Sequence, residues 1–232
     1  MSNDYTQGSG ANSLKFQLTL FFVFFFLAVI GVFIVTSVLQ INTVTHFIGS
    51  QLGIPAVRRV SGIIDGDRFE ALSKSLDPGD PYYVRTREEM FRIKEELNVL
   101  YLYTMAPYTD TVYRFIIDGS APPEDTENFS PIGSEEDISD YGSAFRDTIW
   151  EKAIQVDTLE QNETWGNLIA VYAPILNSSG DLVGIIGCDL AADVIIQWIR
   201  SQILWQVAVV GVFILLGLVV YLLLIRKINR MT

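Results

Sequence analysis

The sequence predicts an α+β domain set between two transmembrane helices, and three observations carry that prediction. Residues 18–39 (LTLFFVFFFLAVIGVFIVTSVL) and 201–225 are long, apolar and uncharged, one near each end of the chain. The segment between them holds 12 basic and 26 acidic residues, a balance of −14, although the whole 232-residue chain carries only −11. That middle segment also passes from helical periodicity into two pairs of strand-like runs, the pattern of an α+β domain.

The two end segments have the length of spans. Twenty-two residues rise roughly 33 Å as a helix, enough for a hydrocarbon core of about 30 Å. Both are hydrophobic on every face, which disfavours a buried core helix. The first run is longer than a signal-peptide core of about 7–15 residues, and no A-x-A site follows it. Lys15 precedes the first span, and Arg226, Lys227 and Arg230 follow the second. Basic residues stay on the cytoplasmic side, so both termini are expected inside and the middle outside. Trp198, Trp205 and Tyr221 suit interfacial positions, in contact with membrane lipid. The expected plan is a cytoplasmic tail at 1–15, a span at 16–39, an outward domain at 40–200, a span at 201–225 and a cytoplasmic stub at 226–232.

Composition excludes several classes. The acidic balance leaves nothing to neutralise a phosphate backbone, so nucleic acid is not a partner. One cysteine, Cys188, permits no internal disulfide and no multi-thiolate metal site, and it reads as a small hydrophobe in an apolar strand. His46, the one histidine, has no metal or catalytic partner in sequence. No phosphate-binding glycine loop, G-x-S-x-G elbow or H-E-x-x-H pair occurs. No catalytic residue, metal or cofactor is therefore expected.

Along the outward segment, residues 40–63 continue the first helix. Ile41, Val44, Ile48, Leu52 and Val60 can share a stripe, with weak points at Gly49, Gly53 and Pro55. Asp65-Gly66-Asp67 ends that helix and starts a short one through Leu76. Asp77-Pro78-Gly79-Asp80-Pro81 is a turn, and residues 83–97 form the next helix. Residues 99–105 (VLYLYTM) and 111–117 (TVYRFII) read as a hairpin. Residues 118–140 form a long acidic loop, read as solvated because its spacing fits no EF-hand. A helix is expected over 143–156. Residues 164–176 and 182–190 form a second hairpin, turned at Asn177-Ser178-Ser179-Gly180-Asp181.

The tyrosine run Tyr101-Leu102-Tyr103 with Tyr113-Arg114-Phe115-Ile116-Ile117-Asp118 resembles the central hairpin of extracytoplasmic Cache sensor domains. Tyr172-Ala173-Pro174-Ile175, then residues 179–187 (SGDLVGIIG), then Asp189-Leu190 resemble the closing hairpin, the more specific part. Such domains sit between two spans in bacterial chemoreceptors, sensor histidine kinases and membrane diguanylate cyclases. The resemblance covers residues 40–200 with the flanking helices and fits a single, small Cache module. It implies a PAS-like antiparallel five-stranded sheet with a long N-terminal helix, and a small-molecule pocket on one sheet face. Four strands are visible in the sequence; the fifth is sought at 62–65 or 127–133.

The candidate ligand-binding residues are Tyr101, Tyr103, Tyr113, Arg114, Phe115, Trp165, Tyr172 and Asp189. Tyr101 and Tyr103, two apart on a strand, share a face, and their phenols offer ring walls and hydrogen bonds; plain core packing is the alternative. Arg114 points opposite to Tyr113 and Phe115, and would either grip a carboxylate or lie on a solvated face. Asp189 ends the last strand, where a carboxylate would either meet a ligand ammonium or cap the exit helix. The wider amine-binding pattern of the family is not matched. The expected ligand is an amino acid, a carboxylate or an amine.

These readings converge on a bacterial transmembrane receptor, or its sensing half, that passes a signal inward from a bound extracellular ligand. A homodimer through residues 40–63 is implied by the resemblance. Residues 226–230 (RKINR) look like the start of a HAMP linker, so output is expected from further chain or from a partner protein. A two-span channel or transporter subunit is the alternative, disfavoured because neither span carries a buried charge.

Overall fold

The computed structural model describes residues 5–122, 124–125, 127–162 and 166–231. They form two compact units, one from Asn42–Val194 and one from the two terminal segments.

The terminal unit pairs helices α1 (Tyr5–Ile48) and α6 (Asp193–Met231). Each contains a stretch long and apolar enough to cross a membrane. Their large apolar side chains face outward: Phe21, Val32 and Leu215 are each more than half exposed. The helices run antiparallel. Thr19 Oγ1 and the Tyr221 hydroxyl share a hydrogen bond of 2.9 Å, while Ser37 Oγ donates to Gln206 Oε1 at 3.2 Å. Gln206 Nε2 donates in turn to Gln40 Oε1 at 3.0 Å.

The central unit begins in the last residues of α1. A π-helical turn (Gly49–Gly53) then leads into α2 (Ile54–Ile63). Both glycines are needed there, because a Cβ would lie 2.3 Å from Val156 at position 49 and 2.4 Å from Val171 at position 53. Pro55 lies in the first turn of α2, directly after the π turn. The extra residue in the π turn breaks the expected stripe. Leu52 stays 47% exposed, while Val60 is wholly buried with Ala56 and Val57.

Helix α3 (Gly66–Ser75) starts where Asp65 accepts the backbone N–H of Asp67 and Arg68, both at 3.1 Å. Helix α4 (Pro81–Leu97) starts at Asp80, whose side chain accepts from Tyr82 N at 2.7 Å. The expected start of this helix at 83 moves to Pro81, a favoured first helical residue.

The architecture is α+β with an antiparallel sheet, as the sequence predicts. The sheet has six strands instead of five, in the order β3-β2-β1-β6-β5-β4. Strands β1 (Tyr101–Pro107) and β2 (Val112–Asp118) form the first hairpin, and β5 (Gly166–Leu176) and β6 (Leu182–Ala191) the second. Neither expected location of the fifth strand holds. Residues 62–63 end α2, and residues 127–133 are bends and turns. The missing strand is β4 (Gln155–Asn162), paired with β5, and a three-residue β3 (Glu135–Asp137) extends the β2 edge. The expected helix to 156 ends early as α5 (Ser143–Glu151), where Lys152 takes a left-handed φ of 50°.

One sheet face is covered by α2, α3 and α4. Phe69, Leu72, Met90 and Ile93 from these helices are buried with Leu102, Ile117 and Ile186 from the strands. The opposite face meets α5 and the 119–142 segment. Phe145 of α5 stacks edge-on against Tyr113, Tyr141 and Tyr172, with ring centroids 5.1–5.2 Å apart. Asp157 of β4 lies at the start of α5, 2.1 Å from where a Cβ on Gly142 would stand. A glycine there leaves room for that carboxylate beside the helix N-terminus.

Candidate functional site

A cavity of about 520 Å³ opens on the α5 side of the sheet. Its floor is the alternating residues of three strands. Tyr101 and Tyr103 come from β1, Leu168, Ala170 and Tyr172 from β5, and Asp189 from β6. Period-two alternation puts each set on one face. Gly187 pairs with Tyr103 across the ladder, and a Cβ there would lie 2.4 Å from the Tyr103 ring. The ring therefore lies flat over the sheet only because position 187 is glycine.

Strand β2 adds Phe115 and Asp118, three apart, which strict alternation would send to opposite faces. A bulge resolves this. Met105 pairs with Phe115 and Thr104 with Ile117, so Ile116 is the unpaired extra residue. Beyond it the faces exchange, and Asp118 joins Phe115 over the cavity.

Asp118 is buried and fastens the segment that walls the cavity. Its Oδ1 accepts from Ser120 N at 2.8 Å and its Oδ2 from Ser130 N at 2.7 Å. Arg87 of α4 reaches the same place from below. It donates to the backbone carbonyls of Asp118, Pro122 and Asp125 at 3.1–3.3 Å, and its guanidinium lies 4.0 Å from the centre of the Phe129 ring. Asp125 accepts from Glu127 N and Asn128 N, turning the segment back over the sheet. Glu127, Phe129, Glu136, Asp137, Asp140 and Tyr141 complete the wall.

Tyrosine hydroxyls meet carboxylates inside. The Tyr103 hydroxyl donates to Asp189 Oδ1 and the Tyr141 hydroxyl to Glu136 Oε1, each at 3.4 Å. Burial first, then the neighbouring Asp189 charge, pushes the Tyr103 phenol well above its ordinary pKa, so it stays a donor. Burial also raises Glu136; the Tyr141 hydrogen bond opposes this and the Asp137 charge adds to it.

Of the residues singled out from sequence, Tyr101, Tyr103, Phe115, Tyr172 and Asp189 meet in this cavity. Tyr113 packs on Phe145 in the adjoining aromatic cluster and does not line it. Arg114 is placed elsewhere. It lies on the other face of β2, paired with Glu135 at 2.8 Å and stacked over Tyr108 at 3.3 Å, and does not line the cavity. Trp165 lies outside the described residues. Asp189 sits four residues before α6, and its side chain is turned to Tyr103 and the cavity.

Part of the acidic segment faces the cavity while remaining solvent-exposed at Glu127, Asp137 and Asp140. Glu127, Glu136, Asp137 and Asp140 stand on the cavity wall. With Asp118 and Asp189 they make six carboxylates, and no Lys, Arg or His lines the cavity among the described residues. Their spacing in sequence gave no signal, because tertiary folding of the loop over the sheet assembles them.

No protein-family model matches the chain, and no curated protein matches it. Among solved structures it is similar to the sensory domain of the Campylobacter jejuni chemoreceptor Tlp3, at 14% identity and a TM-score of 0.37, covering 82% of this chain and 66% of that one. The Tlp3 ligand-binding domain in complex with L-valine gives 12% identity and a TM-score of 0.37, over 88% of this chain and 68% of that one. A methyl-accepting chemotaxis protein, residues 122 to 287, gives 15% and 0.32, over 70% of this chain and 99% of that one. The chain thus spans about two thirds of the length of the Tlp3 domains. Likeness at this level transfers neither ligand nor role.

Proposed function

We propose that this chain is the sensing part of a two-span membrane receptor, with a single Cache-like module outside the cell membrane and both termini in the cytoplasm. A small extracellular molecule binds in the cavity and biases the domain between two arrangements. The observation that carries this reading is the position of the cavity. It is floored by β6 through Asp189, and β6 ends at Ala191, with one residue between it and α6. A ligand that draws on Asp189 therefore acts on the strand that leads directly into an apolar helix of spanning length. Small displacements of such a helix are a recognised way to move a signal. The output module, in chemotaxis or two-component style, and homodimerisation through residues 40–63 belong to this proposal.

Two measurements test it. The full chain in lipid nanodiscs is screened by thermal shift against amino acids, carboxylates and amines; at least one should raise the unfolding midpoint. Cysteine accessibility in cells should label positions between 60 and 190 from outside and neither terminus. The absence of any thermal shift, or labelling of the opposite sense, sinks the proposal.

A further inference from the structure

The cavity has a charge character of its own. Six carboxylates line it and no cationic side chain among the described residues does. An anion entering it would find no counter-ion and would face like charge at short range. A zwitterionic amino acid would carry its carboxylate into the same surroundings. Asp189 is only 7% exposed, so a cation brought beside it meets a carboxylate largely shielded from water, where attraction is least screened.

The remaining surface is aromatic. Tyr101, Tyr103, Phe115, Phe129, Tyr141 and Tyr172 all line the cavity. Ring faces attract cations and also bury apolar carbon. About 520 Å³ is far more than one metal ion needs and falls within the range of small organic ligands, about 300–1,000 Å³. Volume, rings and charge agree on one ligand class.

We propose that the cavity takes an organic cation: an amine or ammonium compound with an apolar body and no carboxylate of its own. The inference rests on the receptor reading above and narrows it. The ammonium sits among the carboxylates, with Asp189 at the floor and Glu136 and Asp140 at the wall, while the apolar body lies against the rings. Selection against amino acids comes from their extra carboxylate, which has no partner here.

Matched pairs differing by one carboxylate test this on the full chain in nanodiscs. They are 2-phenylethylamine and L-phenylalanine, 3-methylbutylamine and L-leucine, and 1,5-diaminopentane and L-lysine, with pyruvate and calcium chloride as further probes. Titration calorimetry should show at least one amine binding at least tenfold more tightly than its amino-acid partner. Asp189→Asn should weaken that amine at least tenfold. Asp140→Asn, at an exposed wall position, should weaken it by a smaller factor. Tightest binding by an amino acid, by pyruvate or by calcium overturns the organic-cation inference and leaves a ligand-binding receptor standing. Silence from every probe overturns both.

Discussion

The two faces of one sheet have been put to different uses. On the helix-covered face, Leu102, Ile117 and Ile186 are buried with Phe69, Leu72 and Met90, and the buried Thr104 hydroxyl is bonded to the Ile117 backbone. On the other face, the same strands offer Tyr101, Tyr103, Phe115, Tyr172 and Asp189 to a cavity walled by an acidic segment. One residue along a strand changes a packing position into a cavity position: Cys188 is wholly buried, whereas its neighbour Asp189 reaches the cavity. The helix-covered face is filled throughout, whereas the other face divides between the aromatic cluster around Phe145 and an open cavity that admits polar groups.

Substitutions separate the two roles. Phe69→Ala, on the filled face, should destabilise most, by about 3–5 kcal/mol, seen as a lower unfolding midpoint of the full chain. An equal loss from Tyr101→Ala on the open face would erase the distinction. Arg87→Ala removes three hydrogen bonds to the loop and its contact with Phe129. It should cost about 2–3 kcal/mol and hasten proteolytic cleavage between residues 119 and 142 before the sheet unfolds. Arg114→Ala breaks one edge ion pair and should change stability by about 0–1 kcal/mol, with no effect on ligand response. Lost ligand response would return Arg114 to the site.

The smallest expected effect depends on pH. Glu136 is raised above its ordinary value of 4.5, chiefly by burial, so the folded chain holds its proton more tightly than the unfolded one. That contribution is fully present below 4.5 and is lost as pH rises through the raised folded value. Glu136→Gln should therefore raise the unfolding midpoint slightly at neutral pH, with the gain fading below the ordinary carboxylate value. A gain that persisted unchanged in acid would point to packing, not ionisation.

Much of the filled face was readable in the sequence. Apolar periodicity, Asp65 at the start of a helix, and the turns at 77–81 and 177–181 all report local physics, and local physics placed the helices and both hairpins. The open face was readable only in part. Tyr101 and Tyr103 follow from alternation and Asp189 from its place at the end of the last strand, but Asp118 does not, because an unpaired residue at 116 reverses the faces. Strand β4 reads QVDTLEQN, too polar to signal a strand, and is held by pairing with β5. Strand β3, Glu-Glu-Asp, has no strand propensity and exists through β2. Arg114 attracted a functional reading because it is isolated in sequence, yet Glu135 waits 21 residues downstream.

The double hold of Asp118 on Ser120 and Ser130 makes the chain between them a closed ring with both ends anchored. The entropy of closing such a ring rises slowly, by about 0.6 kcal/mol for each doubling of its length. Insertions or deletions there would reshape the mouth of the cavity while the strands beneath stay as they are. Related chains should therefore diverge first in the length and content of this ring, and exchange their chemical preference without relearning how to fold.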